Sequence, residues 1–298
     1  MQSLHQNKVQ QQNGLSLYSG HGRSKLPSSI SHLSFSDSWS WQQNKIAFCS
    51  DGISLNDRGF RYGQHLFETI ATRNGKVLFF EEHWKRLVAA ALRRHFPINN
   101  LWHQSVSDFL KKESWQDGLL RIFLTAGDGS ACSPIIAPNL FLFWEEADFP
   151  SEKKLQEGIK IVSLDHSVGT IFWGEKTGNY WEHLTALEAA RHSGAEEGLV
   201  FDAEGFLISA TMANVILWME DRKIVTPPCA RGARDGVILD QMRQSLPNLI
   251  EADVRRDDLK KIVSMAITNS RLGVMPVAKL DGKPMKSLPV PMFRNELP

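Results

Sequence analysis

Cysteine is scarce in this chain of 298 residues: three, at Cys49, Cys132 and Cys229, odd in number and in no C-x-x-C pair. That argues against a disulfide framework or a thiolate zinc site and fits a reducing, cytoplasmic setting. Neither charge sign dominates. A formal net charge of +1 gives no electrostatic reason to expect nucleic acid or an anionic membrane as partner. No apolar run approaches the roughly 18 residues of a membrane span, and the N-terminal segment lacks the apolar core of a secretion signal. No internal repeat is present. The expectation is a soluble protein whose 42% of hydrophobic residues can fill one large or two medium domains.

Composition and periodicity divide the chain into four parts. Residues 1–43, rich in Gln, Ser, Asn and Gly with few aliphatics, read as a disordered extension, a plain tail rather than a targeting segment. Residues 44–144 read as a small domain. In it "HLFETIATRNGKVLFF" is a hairpin turning at Asn74-Gly75. "EEHWKRLVAAALRRHF" is a helix with Trp84, Leu87, Val88, Ala91 and Leu92 at helical spacing, stopped by Pro97. A shorter helix ("SVSDFLKKESWQ") and two interior strands ("GLLRIFLTAG", "NLFLFWE") complete it. Residues 145–155, polar and with one proline, are the linker. Residues 156–298 form a larger domain. It opens on the strand "IKIVSL" and the helix "YWEHLTALEAARHSG", which Gly194 closes. A hairpin follows, turning at Asp202 to Gly205, then the strand pair "NVILWMEDRKIVTPP". The helix "DGVILDQMRQSL", with Asp235 as N-cap, precedes a closing strand–loop–strand.

Chemistry first suggests itself at "WGEKTGNYWEHL". Lys176 there follows an aromatic-rich strand end and precedes a glycine turn, bordered by Trp173, Tyr180 and Trp181. A partly desolvated amine has a lowered pKa and can form a Schiff base, although such a fragment alone more often holds an ordinary solvated lysine. Further segments stand in one order: "RGFRYGQHLFET", "EEHWKRL", "EKTGNY", "FDAEGFLISATMANVI", "TPP", "DGVILDQM" and "TNSRLGVMPV". Together they resemble the class IV aminotransferase family of pyridoxal-phosphate enzymes, over roughly residues 46–290. The family includes branched-chain and D-amino acid aminotransferases and aminodeoxychorismate lyases.

The resemblance implies an α+β, two-domain fold type IV architecture like that of D-amino acid aminotransferases. A smaller N-terminal α/β domain and a larger C-terminal α/β pseudo-barrel would hold pyridoxal 5'-phosphate in the cleft between them. Relatives are homodimers, and a homodimer acting on a small-molecule amine is implied here; no metal is. Lys176 would be the Schiff-base lysine and proton shuttle. Arg86, in the H-x-x-R-L match, would grip the cofactor phosphate with a bidentate fork. The backbone N–H groups of Val237 and Ile238 would meet the same phosphate at a helix N-terminus, with the Ser270 hydroxyl beside them. Tyr180 could reach the cofactor's phenolic oxygen. Each of these residues, taken singly, also has an ordinary reading: a solvated helix arginine, a helix start, a turn serine, a buried tyrosine.

The pattern is broken at several positions, one of which bears on the reaction. Five residues before Asn214 the family carries a glutamate that keeps the pyridine nitrogen protonated; here Ser209 stands there. A serine can share a hydrogen bond with that nitrogen but supplies no charge, so stabilisation of the carbanion weakens. Elimination driven by aromatisation tolerates this better than transamination does. Leu239, Ala126 and Ser130 also replace arginines common in relatives, and Asp235 puts an acid near the phosphate end. "FRYGQHLFET" and the short K-x-x-N spacing look most like the aminodeoxychorismate lyases. The resemblance therefore implies release of pyruvate from 4-amino-4-deoxychorismate to give 4-aminobenzoate for folate synthesis. An aminotransferase of D- or branched-chain amino acids, and a catalytically weakened binding protein, are the alternatives.

Overall fold

The computed structural model describes residues 37–42, 45–48, 52–167 and 174–287. The first sheet is built from β1 (Asp37–Gln42), β2 (Lys45–Phe48), β3 (His65–Arg73), β4 (Lys76–Val77), β5 (Gly118–Thr125) and β6 (Asn139–Glu146), with helices α1 (Arg58–Tyr62), α2 (Phe80–Arg93) and α3 (Trp102–Lys112) between them. Its order is β2-β1-β6-β5-β3-β4, antiparallel throughout. The β3–β4 hairpin turns at Asn74 and Gly75, both with positive φ (51° and 77°), the twist that a tight two-residue hairpin requires.

Inward positions of the central strands alternate as a half-covered sheet demands: Leu140, Leu142 and Trp144 of β6 are buried, with half-buried residues between them. They pack with Ile70, Leu120 and Ile122 against Trp84, Leu87 and Ala91 of α2 and Val106 of α3. Leu92, expected in the α2 stripe, is instead 61% exposed. The helix stops at Arg93, and His95 takes a positive φ before Pro97 is reached.

The second sheet comprises α4 (Glu152–Glu157) at its entry, β7 (Ile159–Ser167), α5 (Trp181–His192), β8 (Glu197–Phe201), β9 (Leu207–Ala210), β10 (Asn214–Met219), β11 (Ile224–Thr226), α6 (Val237–Ser245), β12 (Leu249–Glu251), β13 (Ile262–Asn269), β14 (Gly273–Leu280) and β15 (Lys283–Pro284). The strand order is β12-β11-β10-β13-β14-β7-β8-β9, with β15 on β14. The sheet curls. Leu199 and Leu207 from one end share a buried cluster with Val215, Leu217, Met265 and Ile267 from the other. Alternate residues Ile216 and Ala266 face outward onto Ile238, Leu239 and Met242 of α6, while Val200 and Ile208 meet Ala186 and Ala190 of α5. This is an α+β architecture of two curled sheets with helices outside them.

Three expectations need correction. The extension read over 1–43 yields Asp37–Gln42 to a strand, because Trp39 supplies an apolar side chain that packs beside Phe109 and Trp115; residues 1–36 lie outside the described residues. The stretch 145–155 is not plain linker, since β6 runs through Glu146 and α4 begins at Glu152, capped by Ser151. Asp235 is not an N-cap: Gly236 holds that position, and Asp235 is exposed.

Candidate active site

The β3–β4 hairpin is short, so β3 leaves the edge at His65–Phe67 open. Residues 176–178 fill it: the Phe67 amide donates to the Lys176 carbonyl (2.8 Å), Leu66 bridges Thr177, and the Gly178 amide donates to the His65 carbonyl (2.9 Å). Gly178 is required for so close an approach, because a Cβ there would collide with the Gly63 carbonyl and the His65 ring. The lysine is thus fixed by backbone pairing rather than left at a loose turn. Its Nζ lies 4.6 Å from the Phe67 ring centroid and 5.6 Å from that of Tyr180. Trp181, expected beside it, is 80% exposed, and Trp173 and the strand end preceding it lie outside the described residues. Burial, then the neighbouring Arg234 guanidinium, push the Lys176 amine well below the usual lysine range. Both effects favour the free base over the ammonium.

Lys176, Arg86, Tyr180, Ser209, Asn214, Val237, Ile238 and Ser270 all line one cavity of about 840 Å³, together with side chains from both sheets. Arg86 of α2 is half-buried there, and its fork already has partners within the chain. Nε and Nη2 donate to the two oxygens of Glu68 (2.9 and 2.5 Å), and Nη1 donates to the Asp235 carbonyl (2.6 Å). One N–H remains on each terminal nitrogen. His83, one helical turn earlier on the same face, sets Nδ1 2.7 Å from Glu68 Oε2. Burial alone would raise the Glu68 carboxyl, yet Arg86 and His83 bring it down to about 2. Ser270, in the turn after β13, places Oγ 3.4 Å from His83 Nε2.

Val237 and Ile238 open α6, where first-turn amides have no intrahelical acceptor. Asn214 ties that loop to β10 by donating to the Arg234 carbonyl (2.6 Å). A Cβ on Gly236 would run into the Asn214 amide, so glycine permits this packing. Ser209 in β9 donates its hydroxyl to the Ala210 carbonyl (2.7 Å). Tyr180 stacks on His183 at 4.5 Å and meets Phe67 edge-on at 5.1 Å.

Several functional groups went unread in the sequence. Glu68 and His83 sit inside quoted motifs, and the His83/Arg86 spacing of three could have pointed to a shared carboxylate. Nothing local marks Arg234, His183 or Glu197. Glu197 of β8 lines the cavity, accepts a short hydrogen bond from the Thr211 hydroxyl, and is raised by burial to about 7. Among the described residues no cluster could hold a metal ion.

An amine with a lowered pKa beside aromatic rings, unpartnered amides at a helix start, the spare N–H groups of Arg86 and a nearby hydroxyl suit an aldehyde carrying a phosphate. The fold and this cleft define a two-sheet enzyme scaffold with a reactive lysine at its centre. Residues 65–280 match the amino-transferase class IV family, and the chain belongs to it, a family of pyridoxal-phosphate enzymes. It is 24% identical to an aminodeoxychorismate lyase of Vibrio harveyi over 239 residues, covering 76% of this chain and 86% of the relative. A D-alanine aminotransferase of Bacillus licheniformis is 23% identical over 259 residues, covering 82% and 88%. Among solved structures, a hypothetical aminotransferase from Mycobacterium tuberculosis in a PLP-bound form superposes with TM-score 0.74 at 17% identity, covering 88% of this chain and 98% of that one. The branched-chain amino acid aminotransferase of Escherichia coli gives 0.73 at 20% identity, covering 85% and 88%.

Proposed function

We propose that this chain is a pyridoxal-phosphate lyase of the aminodeoxychorismate type, releasing pyruvate from 4-amino-4-deoxychorismate to leave 4-aminobenzoate for folate synthesis. The observation that carries the choice of reaction is Ser209. Its hydroxyl is turned onto the Ala210 carbonyl, and no carboxylate comes from that position. The neighbouring strand carries Glu197, whose carboxyl burial pushes up to about 7, so it is no fixed negative charge at neutral pH. A charge-poor ring partner suits elimination, in which the leaving group carries the electron pair away.

When bound, the cofactor supplies an aldehyde to anchor an amine and a ring to spread negative charge. Arg86, Ser270 and the α6 amides would hold its phosphate, and Tyr180 would face its ring oxygen. The chain's own contribution is proton handling at Lys176. With its pKa lowered by burial, Nζ would be the base that removes a ring proton from the bound substrate. The ring C–O bond then breaks with its pair going to the enolpyruvyl oxygen, and the ring becomes aromatic. Return of a proton to the terminal carbon of that enol completes pyruvate. Phe67 and Tyr180 exclude water from the amine meanwhile.

The second reading, an aminotransferase of D- or branched-chain amino acids, draws on the similarity to the Bacillus licheniformis protein. Purified protein given 4-amino-4-deoxychorismate should release pyruvate with no keto-acid-dependent amine transfer; amine transfer without pyruvate would select the second reading. We further propose a cytoplasmic homodimer. Two exposed free thiols, Cys132 and Cys229, suit a reducing compartment. Leu55 (76% exposed), Phe60 (66%) and Ile136 (76%) are large apolar side chains for a second copy to cover.

A further inference from the structure

Most cations around the cavity face a carboxylate: Arg86 pairs with Glu68, Arg121 with Glu145, Lys154 with Glu196 and Arg191 with Glu188. Arg234 has no acidic side chain within ion-pair distance among the described residues, although it is buried deep enough in the wall for burial to lower its pKa. Its Nη2 lies 3.4 Å from the Glu175 carbonyl and 3.3 Å from His183 Nε2, both neutral acceptors at long range. Its Nε is enclosed with no partner at all. The Glu175 carboxylate points away, onto Arg93 and Arg94. His183 brings no charge either. Its Nδ1 is 2.7 Å from the Thr211 carbonyl and must donate there, leaving Nε2 as the acceptor for Arg234. Burial and the Arg234 charge hold that imidazole neutral, with a pKa of about 3.

The fork has these two long bonds and a further hydrogen bond to Tyr180, but its Nε–H stays orphaned and no carboxylate among the described residues balances its charge, which is costly for a half-buried guanidinium. The fork is nevertheless held in place, by the Asn214 bond to its carbonyl on one side and His183 on the other. Its neighbours are Glu175, Tyr180 and His183, the segment around Lys176. Arg86 and Ser270 instead contact Glu68, His83 and the Asp235 carbonyl.

We infer that Arg234 is a specificity-determining residue that receives a carboxylate of the substrate, with His183 as the residue that positions it. A planar guanidinium matches a carboxylate by two parallel hydrogen bonds, and the Tyr180 ring beside it, itself packed edge-on against Phe67, favours a carboxylate borne on a flat ring. The substrate class is an amine with a ring carboxylate. Its assignment to one substrate rests on the lyase reading; the anion site itself does not.

The test is calorimetric binding of benzoate and of the uncharged benzamide to the cofactor-loaded full chain. Wild type should bind benzoate at least about tenfold more tightly, the worth of one charge-assisted hydrogen-bonded pair. Arg234→Gln should lose that preference while keeping the visible absorbance of the bound cofactor, and Arg234→Lys should keep part of it. Equal affinity for the two probes in wild type overturns the inference, as does an Arg234→Gln protein that still prefers benzoate. If Arg234→Gln fails to fold, an Arg234→Lys protein with the full wild-type preference overturns it, and a partial preference supports it. Protein that prefers benzoate through Arg234 yet releases no pyruvate would sink the lyase reading and leave this site standing.

Discussion

At the scale of single residues, reactivity here is a matter of which charges are compensated. The Lys176 amine is pushed toward its uncharged form by burial beside Phe67 and Tyr180 and by the Arg234 charge. Glu68 is the reverse case, a buried carboxylate kept ionised by Arg86 and His83 down to a pKa of about 2, against 4.5 for a free glutamate. Between those two values the unfolded chain binds more protons than the folded one. Glu68 therefore contributes stability in full above the higher value, and the contribution disappears as pH falls through the lower one. Glu68→Gln should cost about 3–5 kcal/mol near neutrality, since it takes the counter-charge from the half-buried Arg86. The wild-type advantage in denaturant melts should shrink as the buffer is acidified from about pH 5 toward pH 3. An advantage that does not change with pH would mean that the carboxylate is not ionised in the fold.

At the scale of elements, the site depends on a chain segment docked along a strand edge. Gly178→Ala places a methyl group against the Gly63 carbonyl and the His65 ring. Residues 176–178 should be pushed off β3, at about 1–3 kcal/mol, and cofactor affinity should fall at least about tenfold in an absorbance titration. Unchanged affinity would show that the lysine needs no such support. In β9, Ser209→Glu should raise keto-acid-dependent amine transfer more than pyruvate release; equal gains would contradict the reasoning about the ring partner.

Element order, hairpin turns and most helices were legible in the sequence because periodicity and turn chemistry are local. The Asn74-Gly75 turn and the α6 face Ile238, Leu239 and Met242 are cases in point. What could not be read was non-local. Arg234 matters because His183, fifty-one positions away, orients it, and Arg86 turns to Glu68 through an ion pair that no spacing rule identifies as exclusive. The strand at 37–42 was hidden for the same reason. Its polar composition suggests a tail, yet β6 supplies its hydrogen bonds.

At the scale of the whole molecule, two curled sheets each bury a core of their own and contribute walls to one cavity. Exposed Leu55, Phe60 and Ile136 lead us to expect that sedimentation equilibrium gives twice the chain mass of 33.6 kDa at micromolar protein. A single-chain mass under those conditions would rule the homodimer out. No helix among the described residues is long and apolar enough to cross a membrane. A group that binds the folded cleft alone stabilises it, by about 2.7 kcal/mol at a hundredfold excess over its dissociation constant. Pyridoxal phosphate should therefore raise the melting temperature of the wild type, and of Lys176→Ala far less.

The central claim is that the free amine of Lys176 carries the cofactor, and borohydride reduction of the resting protein followed by peptide mass mapping tests it most directly. Reduction should fix a pyridoxyl-phosphate mass on the peptide containing Lys176, and that label should be missing from Lys176→Ala. A label on another lysine, or on none after loading with pyridoxal phosphate, would contradict the account.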